Sequence, residues 1–382
     1  MRNDPMPPTP SNARAAGDLG IRDIEVIRTY QHPSGAYPAS PSFPPYRYAW
    51  FRDGAFIAYA MDQGGEHESA HRFHAWAVET VLRHRAQAEA AIARARAGLP
   101  PAEAYLHARY TVMGESTSDN WPNLQLDGFG TWLWALAEHV RLSQSSLPPT
   151  WEEAVALVAD YLSALWPHPC HDLWEETPRG IYVYTLAAIF AGLKAASRLV
   201  AGPWADTADE VRHFVLQHGL IGGHFVKRIS PSPSPSSPPL VDASLIGVAV
   251  PYRLLPPTDP QVQATIARVA EDLHPPQGGV YRYRGDTYYG GGEWVVLAAW
   301  LGWYYATVSD LTHAQELLAW VEAQADEQGF LPEQVTDRPQ APAYVAVWEQ
   351  RWGPLARPLL WSHAMHLVLC KAIAANSPSA PG

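Results

Sequence analysis

At 382 residues the chain has room for two or three average domains or one large barrel. Hydrophobic residues make up 47% and charged residues 17%, which excludes a disordered chain and supports a large core. A net charge of −11, from 38 acidic against 27 basic residues, excludes an electrostatic grip on nucleic acid or anionic membrane. Two cysteines, Cys170 and Cys370, cannot build a disulfide framework. A single bridge between them is conceivable, but reduced thiols in a cytosolic protein is the simpler reading. The first twenty residues are Pro-rich and polar, unlike a signal peptide, and no stretch approaches the ~20 apolar residues of a membrane span. A cytoplasmic protein is expected.

Along the chain, residues 1–15 are expected to be a disordered tail and a short helix to form near 20–29. Residues 50–63 (WFRDGAFIAYAMDQ) read as a helix stopped by Gly64-Gly65, and 68–97 as one long amphipathic helical region. Further helices are expected at 127–142, 150–165, 181–200, 204–218, 241–250, 260–273, 293–307, 310–325 and 359–375. Thr150, Thr258-Asp259 before Pro260, and Ser309 supply cap signals. The Ser/Pro segment 230–239 reads as a surface loop and 377–382 as a tail. No run alternates convincingly as a strand. Two kinds of helix alternate: 181–200 and 293–307 are apolar nearly all round, whereas 204–218 and 310–325 carry one apolar stripe and a charged face. Inner helices alternating with outer ones, twelve in all, predict an all-α fold. It is a six-fold α/α barrel occupying 16–376 as a single catalytic domain, without a separate β domain.

Polar and aromatic clusters recur just before the expected inner helices: YRYAWFRD (46–53), DNWPNLQLDG (119–128), HDLWEE (171–176), VDAS (241–244), YRYRGDTYYGGGEW (281–294), and LPEQ (331–334) with LLWSHA (359–364). For any one of them the alternative is an ordinary helix N-terminus, where acids and caps belong anyway. If the inner helices run parallel, however, all six open on one end of the barrel and line one bowl. Sixteen Trp and 18 Tyr could be core filler, but aromatic faces also pack on the C–H faces of sugars. The chain has neither a P-loop nor a GxGxxG after a strand, so no cofactor is implied. Carboxylates beside aromatic platforms suit glycoside hydrolysis, in which one carboxyl protonates the leaving oxygen and another activates water or attacks carbon.

At these residues, from about Gln31 to Ala364, the sequence resembles glycoside hydrolase family 15, the glucoamylases and their relatives. A YxYxWxRD pattern is matched by Tyr46, Tyr48, Trp50, Arg52 and Asp53, and a WxxxQxDG pattern by Trp121, Gln125, Asp127 and Gly128. DLWEE stands unbroken from Asp172 to Glu176. Arg282, Tyr283, Asp286, Thr287, Tyr288 and Tyr289, then Trp294, Glu333-Gln334 and Trp361-Ser362, complete the resemblance. It implies an inverting exo-hydrolase that releases β-glucose from a non-reducing end, with Glu175 as general acid and Glu333 as general base. Arg52 and Asp53 would grip the 4-OH and 6-OH, Arg282 the same sugar from another side, and Tyr46 would lie beside the carbon that becomes positive. Trp121 and Glu176 would meet the leaving sugar. Trp50, Gln125, Asp127, Trp174, Asp286, Tyr288, Trp294 and Trp361 are the remaining candidates for substrate contact. An inverting pair should stand about 6.5–9.5 Å apart, and Glu333 needs donors or water to stay ionised.

Many bacterial members carry an N-terminal β-sandwich, and others a starch-binding domain. Neither is expected here, so short oligosaccharides fit better than raw starch. Isomaltose is the first expectation, malto-oligosaccharides the second and trehalose the third, with selectivity in segments 98–120 and 337–357. A small oligosaccharide is the expected partner, and monomer and homo-oligomer stand equally open. His168, Cys170, His171 and Asp172 match no standard zinc spacing, and no metal is expected. His363 and Asp242 read equally as satisfied structural residues, and Arg83, Arg85, Arg94 and Arg96 as a solvated face. The rivals are a non-catalytic sugar sensor on the same scaffold, which has no need of both Glu175 and Glu333, and a lyase or phosphorylase.

Overall fold

Six inner elements close a ring in this computed structural model, which describes residues 16–101, 104–176, 179–230 and 241–377. The expected tails at 1–15 and beyond 377, and nearly all of the Ser/Pro segment, lie outside the described residues. The inner elements are α2 (Phe51–Gln63), α5 (Asp127–Leu142), α7 (Val183–Leu199), a 3₁₀ turn (Ala243–Val248), α10 (Val295–Thr307) and α13 (Leu360–Asn376). Each packs on the next, and α13 returns to α2. Outside them lie α1 (Ala16–Tyr30), α3 (His67–Arg83), α6 (Glu152–Leu165), α8 (Trp204–His218), α9 (Pro260–Leu273) and α11 (Leu311–Glu322). Two helices stand apart from the rings: α4 (Arg85–Arg96) and α12 (Ala343–Trp352). The fold is an α/α barrel.

Burial follows the two sequence patterns. Every residue of α2 from Phe51 to Asp62 is buried, as a helix with neighbours on all sides requires. In α8 only Trp204, Ala208, Val211 and Val215 are buried, a single stripe spaced by four, three and four residues. Where α5 crosses α7, glycines set the approach. A Cβ on Gly130 would lie 2.4 Å from the Ala188 carbonyl oxygen, and one on Gly192 would lie 2.6 Å from that of Gly130. Gly130→Ala should therefore cost about 1–3 kcal/mol of stability through overpacking, read as a lowered denaturation midpoint; an unchanged midpoint would show that the two helices yield.

Four expectations need correction. Region 68–97 is two helices broken at His84, where Arg83 and His84 turn to bond the carbonyls of Met113 and Gly114. Residues 241–250 form only the 3₁₀ turn, because Pro251 disfavours a helical residue before it and donates no N–H. Helix α12 falls in a segment expected to be loop: none of its residues is fully buried, and its half-buried stripe, Val345, Trp348 and Trp352, is short. Short strands also exist. Four two-residue antiparallel ladders occur among the described residues, three of them at the starts of inner helices: Ala49–Trp50 with Arg109–Tyr110, Ile181–Tyr182 with Arg228–Ile229, and Glu293–Trp294 with Gln334–Val335. They run immediately into α2, α7 and α10 and pin the loops at that end of the barrel. No helix among the described residues is long and apolar enough to cross a membrane.

Candidate active site

The N-terminal ends of the inner helices surround a cavity of about 430 Å³. Tyr46, Trp50, Arg52, Asp53, Trp121, Trp174, Glu175, Glu176, Arg282, Tyr288, Trp294, Glu333 and Trp361 all line it, so segments more than three hundred residues apart meet in one bowl. Asn120, Leu173, Thr287, Trp348, Arg351 and Trp352 line it too.

Glu175 sits in a tight turn. Its N–H donates to the Asp172 carbonyl at 3.0 Å, the Glu176 N–H donates to Asp172 Oδ1 at 3.0 Å, and Glu175 itself has φ +65°. A side-chain-bearing residue in the left-handed region costs about 1–3 kcal/mol and persists only where its surroundings impose it. Lys227 imposes part of it, bridging Asp172 (2.9 Å) to Asp242 (3.0 Å). Asp242 also caps the 3₁₀ turn through the Ser244 N–H and accepts from Trp174 Nε1. Donors converge on one oxygen of Glu175: Trp50 Nε1 and Gln125 Nε2 donate to Oε1, the latter at 3.0 Å, and Arg52 Nη2 lies 3.7 Å away.

Glu333 stands in different surroundings. Backbone bonds from the Glu333 N–H to the Ala356 carbonyl and from the Val295 N–H to the Glu333 carbonyl place it, beside the Gln334–Trp294 ladder. Its Oε1 accepts from the Tyr46 hydroxyl at 3.0 Å, and that hydroxyl lies 2.8 Å from Tyr288's. Oε2 is buried with no hydrogen-bond partner among the described residues. Burial pushes the Glu333 carboxyl up to about 8; the Tyr46 hydrogen bond and the Arg282 charge hold it back only in part. The donor that the sequence reading asks for is present in the Tyr46 hydroxyl, and burial opposes it. Glu175 and Glu333 approach the cavity from different hairpins, and Trp50, bonded to Glu175, meets Tyr46, bonded to Glu333, edge to face at 5.7 Å.

Three residues expected to touch substrate stand behind the lining instead. Gln125 and Asp127 accept from Arg52 Nη1 at 2.9 and 3.0 Å, and Asp286 clamps Arg282 through two bonds of 2.7 and 2.6 Å. They aim the two arginines rather than contact the cavity. Burial pushes the neighbouring Asp53 carboxyl up to about 7 despite the Arg52 charge. Arg282 packs among the rings of Trp174, Tyr288 and Trp294, and the Tyr283 hydroxyl donates to Glu176. At the rim Trp121 stacks on Trp352 at 6.4 Å, with the Arg109 guanidinium 3.7 Å above Trp121. The indole N–H groups of Trp121, Trp294 and Trp361, and Arg52 Nε, are buried without hydrogen-bond partners among the described residues.

The distracting residues are satisfied elsewhere. His171 bonds the Glu176 carbonyl oxygen and the Arg179 side chain, and both cysteines are free. His363 is buried between Asp23 and the Leu331 N–H.

A helical barrel that gathers four carboxyl groups, two clamped arginines and several indoles at one end has the equipment of a carbohydrate-cleaving enzyme. Residues 21–325 match the family described as Glycosyl hydrolases family 15, and the chain belongs to that family. It is a glycoside hydrolase. It is 40% identical over 372 residues to a protein of Kribbella flavida described as isomaltose glucohydrolase, with 95% of this chain and 94% of that one covered. A glycosidase variant solved in complex with glucose superposes with a TM-score of 0.88 at 38% identity, covering 95% of this chain and 99% of that one. The Hormoconis resinae glucoamylase gives 0.70 at 17% identity over 95% of this chain and 74% of its own, a likeness of fold alone.

Proposed function

We propose that the chain is an inverting, exo-acting α-glucosidase that releases β-glucose from the non-reducing end of short α-gluco-oligosaccharides, isomaltose foremost. Glu175 gives its proton to the glycosidic oxygen as the C1–O bond breaks. Glu333 takes a proton from the water that forms the new C1–O bond on the opposite face, and the configuration at C1 inverts. Arg52 and Asp53 hold the outer hydroxyls of the terminal glucose and block extension there, and Arg282 holds it from the other side. Trp121, Trp352 and Glu176 meet the leaving sugar.

The observation that supports this reading is that Glu175 and Glu333, from separate hairpins, line the same cavity. Glu333 Oε2 and the unpartnered indole and guanidinium N–H groups support it, because water and a hydroxyl-rich ligand satisfy buried polar atoms that protein leaves bare. Glu333 lies beyond the 21–325 segment, so its role rests on position. The choice of isomaltose is supported by the likeness to the Kribbella flavida isomaltose glucohydrolase. In a panel of isomaltose, maltose, nigerose, kojibiose and trehalose, isomaltose should give the highest kcat/KM, and proton NMR during early turnover should show β-glucose first. Preference for another disaccharide would replace the substrate; α-glucose appearing first would remove the residue roles.

A further inference from the structure

The opposite end of the barrel holds a second cluster of polar side chains. Asp62 lies ten residues beyond Arg52 on α2, which at helical rise places it about 15 Å further along the helix from the cavity. Helix α3 brings His67, His71 and His74 to one face by spacings of four and three, and the last turn of α5 brings His139. The Asp62 carboxylate, fully buried, accepts from His67 Nδ1 at 2.8 Å and from His139 Nδ1 at 3.0 Å. The His74 ring lies 5.0 Å from the His139 ring. His74 is completely buried, and both of its nitrogens lack a hydrogen-bond partner among the described residues.

That last fact is the anomaly. A buried imidazole with two bare nitrogens loses its hydration and gains nothing from protein in return. His74 also fills this position among two other histidines and a buried acid, where an apolar ring would pack at lower cost. One ligand atom from each of Asp62, His74 and His139 falls within 4.8 Å of the others. Two imidazoles and a carboxylate suit a borderline cation such as zinc, and not calcium or magnesium, which select oxygen. The carboxylate offsets part of the charge, and His67, whose side chain is 40% exposed, marks the route to solvent.

We propose that Asp62, His74 and His139 form a binding site for a zinc-type divalent transition-metal ion that ties α2, α3 and α5 together at the end of the barrel remote from the cavity. The fourth position falls to His67 or to water. The site lies apart from the sugar chemistry and stands whether or not the substrate reading does. It departs from the sequence expectation of no metal, and it uses none of the 168–172 residues.

The test uses the full chain stripped with a chelator, with Co²⁺ as a spectroscopic probe and Zn²⁺ as competitor. The wild type should take up one Co²⁺ per chain with the visible bands of a four-coordinate nitrogen and oxygen site, and Zn²⁺ should displace it. At a hundredfold excess of Zn²⁺ over its dissociation constant, the melting temperature should rise by about 4 °C. His74→Phe, which keeps the ring volume and removes both nitrogens, should lose the Co²⁺ bands and the Zn²⁺ shift while retaining turnover of isomaltose within twofold. Absence of a Co²⁺ spectrum and of a Zn²⁺ shift in the wild type would overturn the site and leave His74 as an imidazole holding buried water. Equal Co²⁺ uptake by His74→Phe would place the metal elsewhere and overturn it equally. Should His74→Phe not fold, His139→Gln provides the same comparison.

Discussion

Glu175→Gln should lower kcat on isomaltose by about a hundred- to ten-thousandfold, with KM changed only a few-fold. The substitution is close to isosteric. The amide oxygen can still accept from Trp50 Nε1 and Gln125 Nε2, which already converge on one oxygen of the carboxyl. The backbone strain at φ +65° is the same for Gln as for Glu, so the turn held by Asp172 has no new reason to rearrange. What disappears is the proton that the leaving oxygen needs. A sugar alcohol is a poor leaving group, whereas the phenolate of an activated aryl α-glucoside departs without protonation. The deficit of Glu175→Gln should therefore shrink on such an aryl glucoside, while that of a Glu333 variant should not, since the base step is common to both substrates. Steady-state kinetics on the two substrates separates the roles. Near-wild-type turnover of isomaltose in the Gln variant, or equal deficits on both substrates, would remove the acid role from Glu175.

The same contrast explains what the sequence could and could not reveal. The bowl was legible because the loops before the inner helices are where a parallel ring of helices must converge, and because the inner helices declare themselves by being apolar all round. Residues such as Arg52 and Trp294 could be placed from that logic alone. Depth along the wall could not. Gln125, Asp127 and Asp286 belong to the same motifs as the residues that face the cavity, yet their side chains turn inward to hold Arg52, Glu175 and Arg282. Spacing assigns a residue to a loop and does not say on which side of that loop the ligand lies. Helix α12 was invisible for the complementary reason. It covers the rim with only a short half-buried stripe, Val345, Trp348 and Trp352, too brief to mark a helix in the sequence, and Trp348, Arg351 and Trp352 join the lining only in three dimensions. The Asp62 cluster is not legible in the sequence because its residues come from three helices. The His67, His71 and His74 spacing puts three imidazoles on one helix face, but only Asp62 and His139 give it meaning.

Glu333→Gln should reduce kcat on isomaltose by about a hundred- to ten-thousandfold and, unlike most active-site losses, should stabilise the fold in alkaline solution. Burial raises the Glu333 carboxyl from 4.5 to about 8 in the folded protein, so between those values the native state holds a proton that the unfolded chain releases. Stability contributed by this group is therefore complete below pH 4.5 and is lost as the pH climbs through 8. At pH 9 the wild type must carry an ionised carboxylate whose Oε2 has no protein donor, at a cost of about 3–5 kcal/mol relative to its acidic form. The amide of Gln carries no such charge. The denaturation midpoints of Glu333→Gln and wild type should nearly coincide at pH 5 and diverge at pH 9 in favour of the variant. The functional counterpart is that a carboxylate poorly solvated by its surroundings is a strong base. A bare Oε2 is a ready acceptor for the proton of an incoming water, and the Tyr46 hydroxyl on Oε1 keeps the group from becoming too weak an acid to ionise at all. If the two midpoints instead keep a constant difference from pH 5 to pH 9, Glu333 is ionised throughout. In that case donors around the carboxylate, water among them, offset the cost of burying its charge.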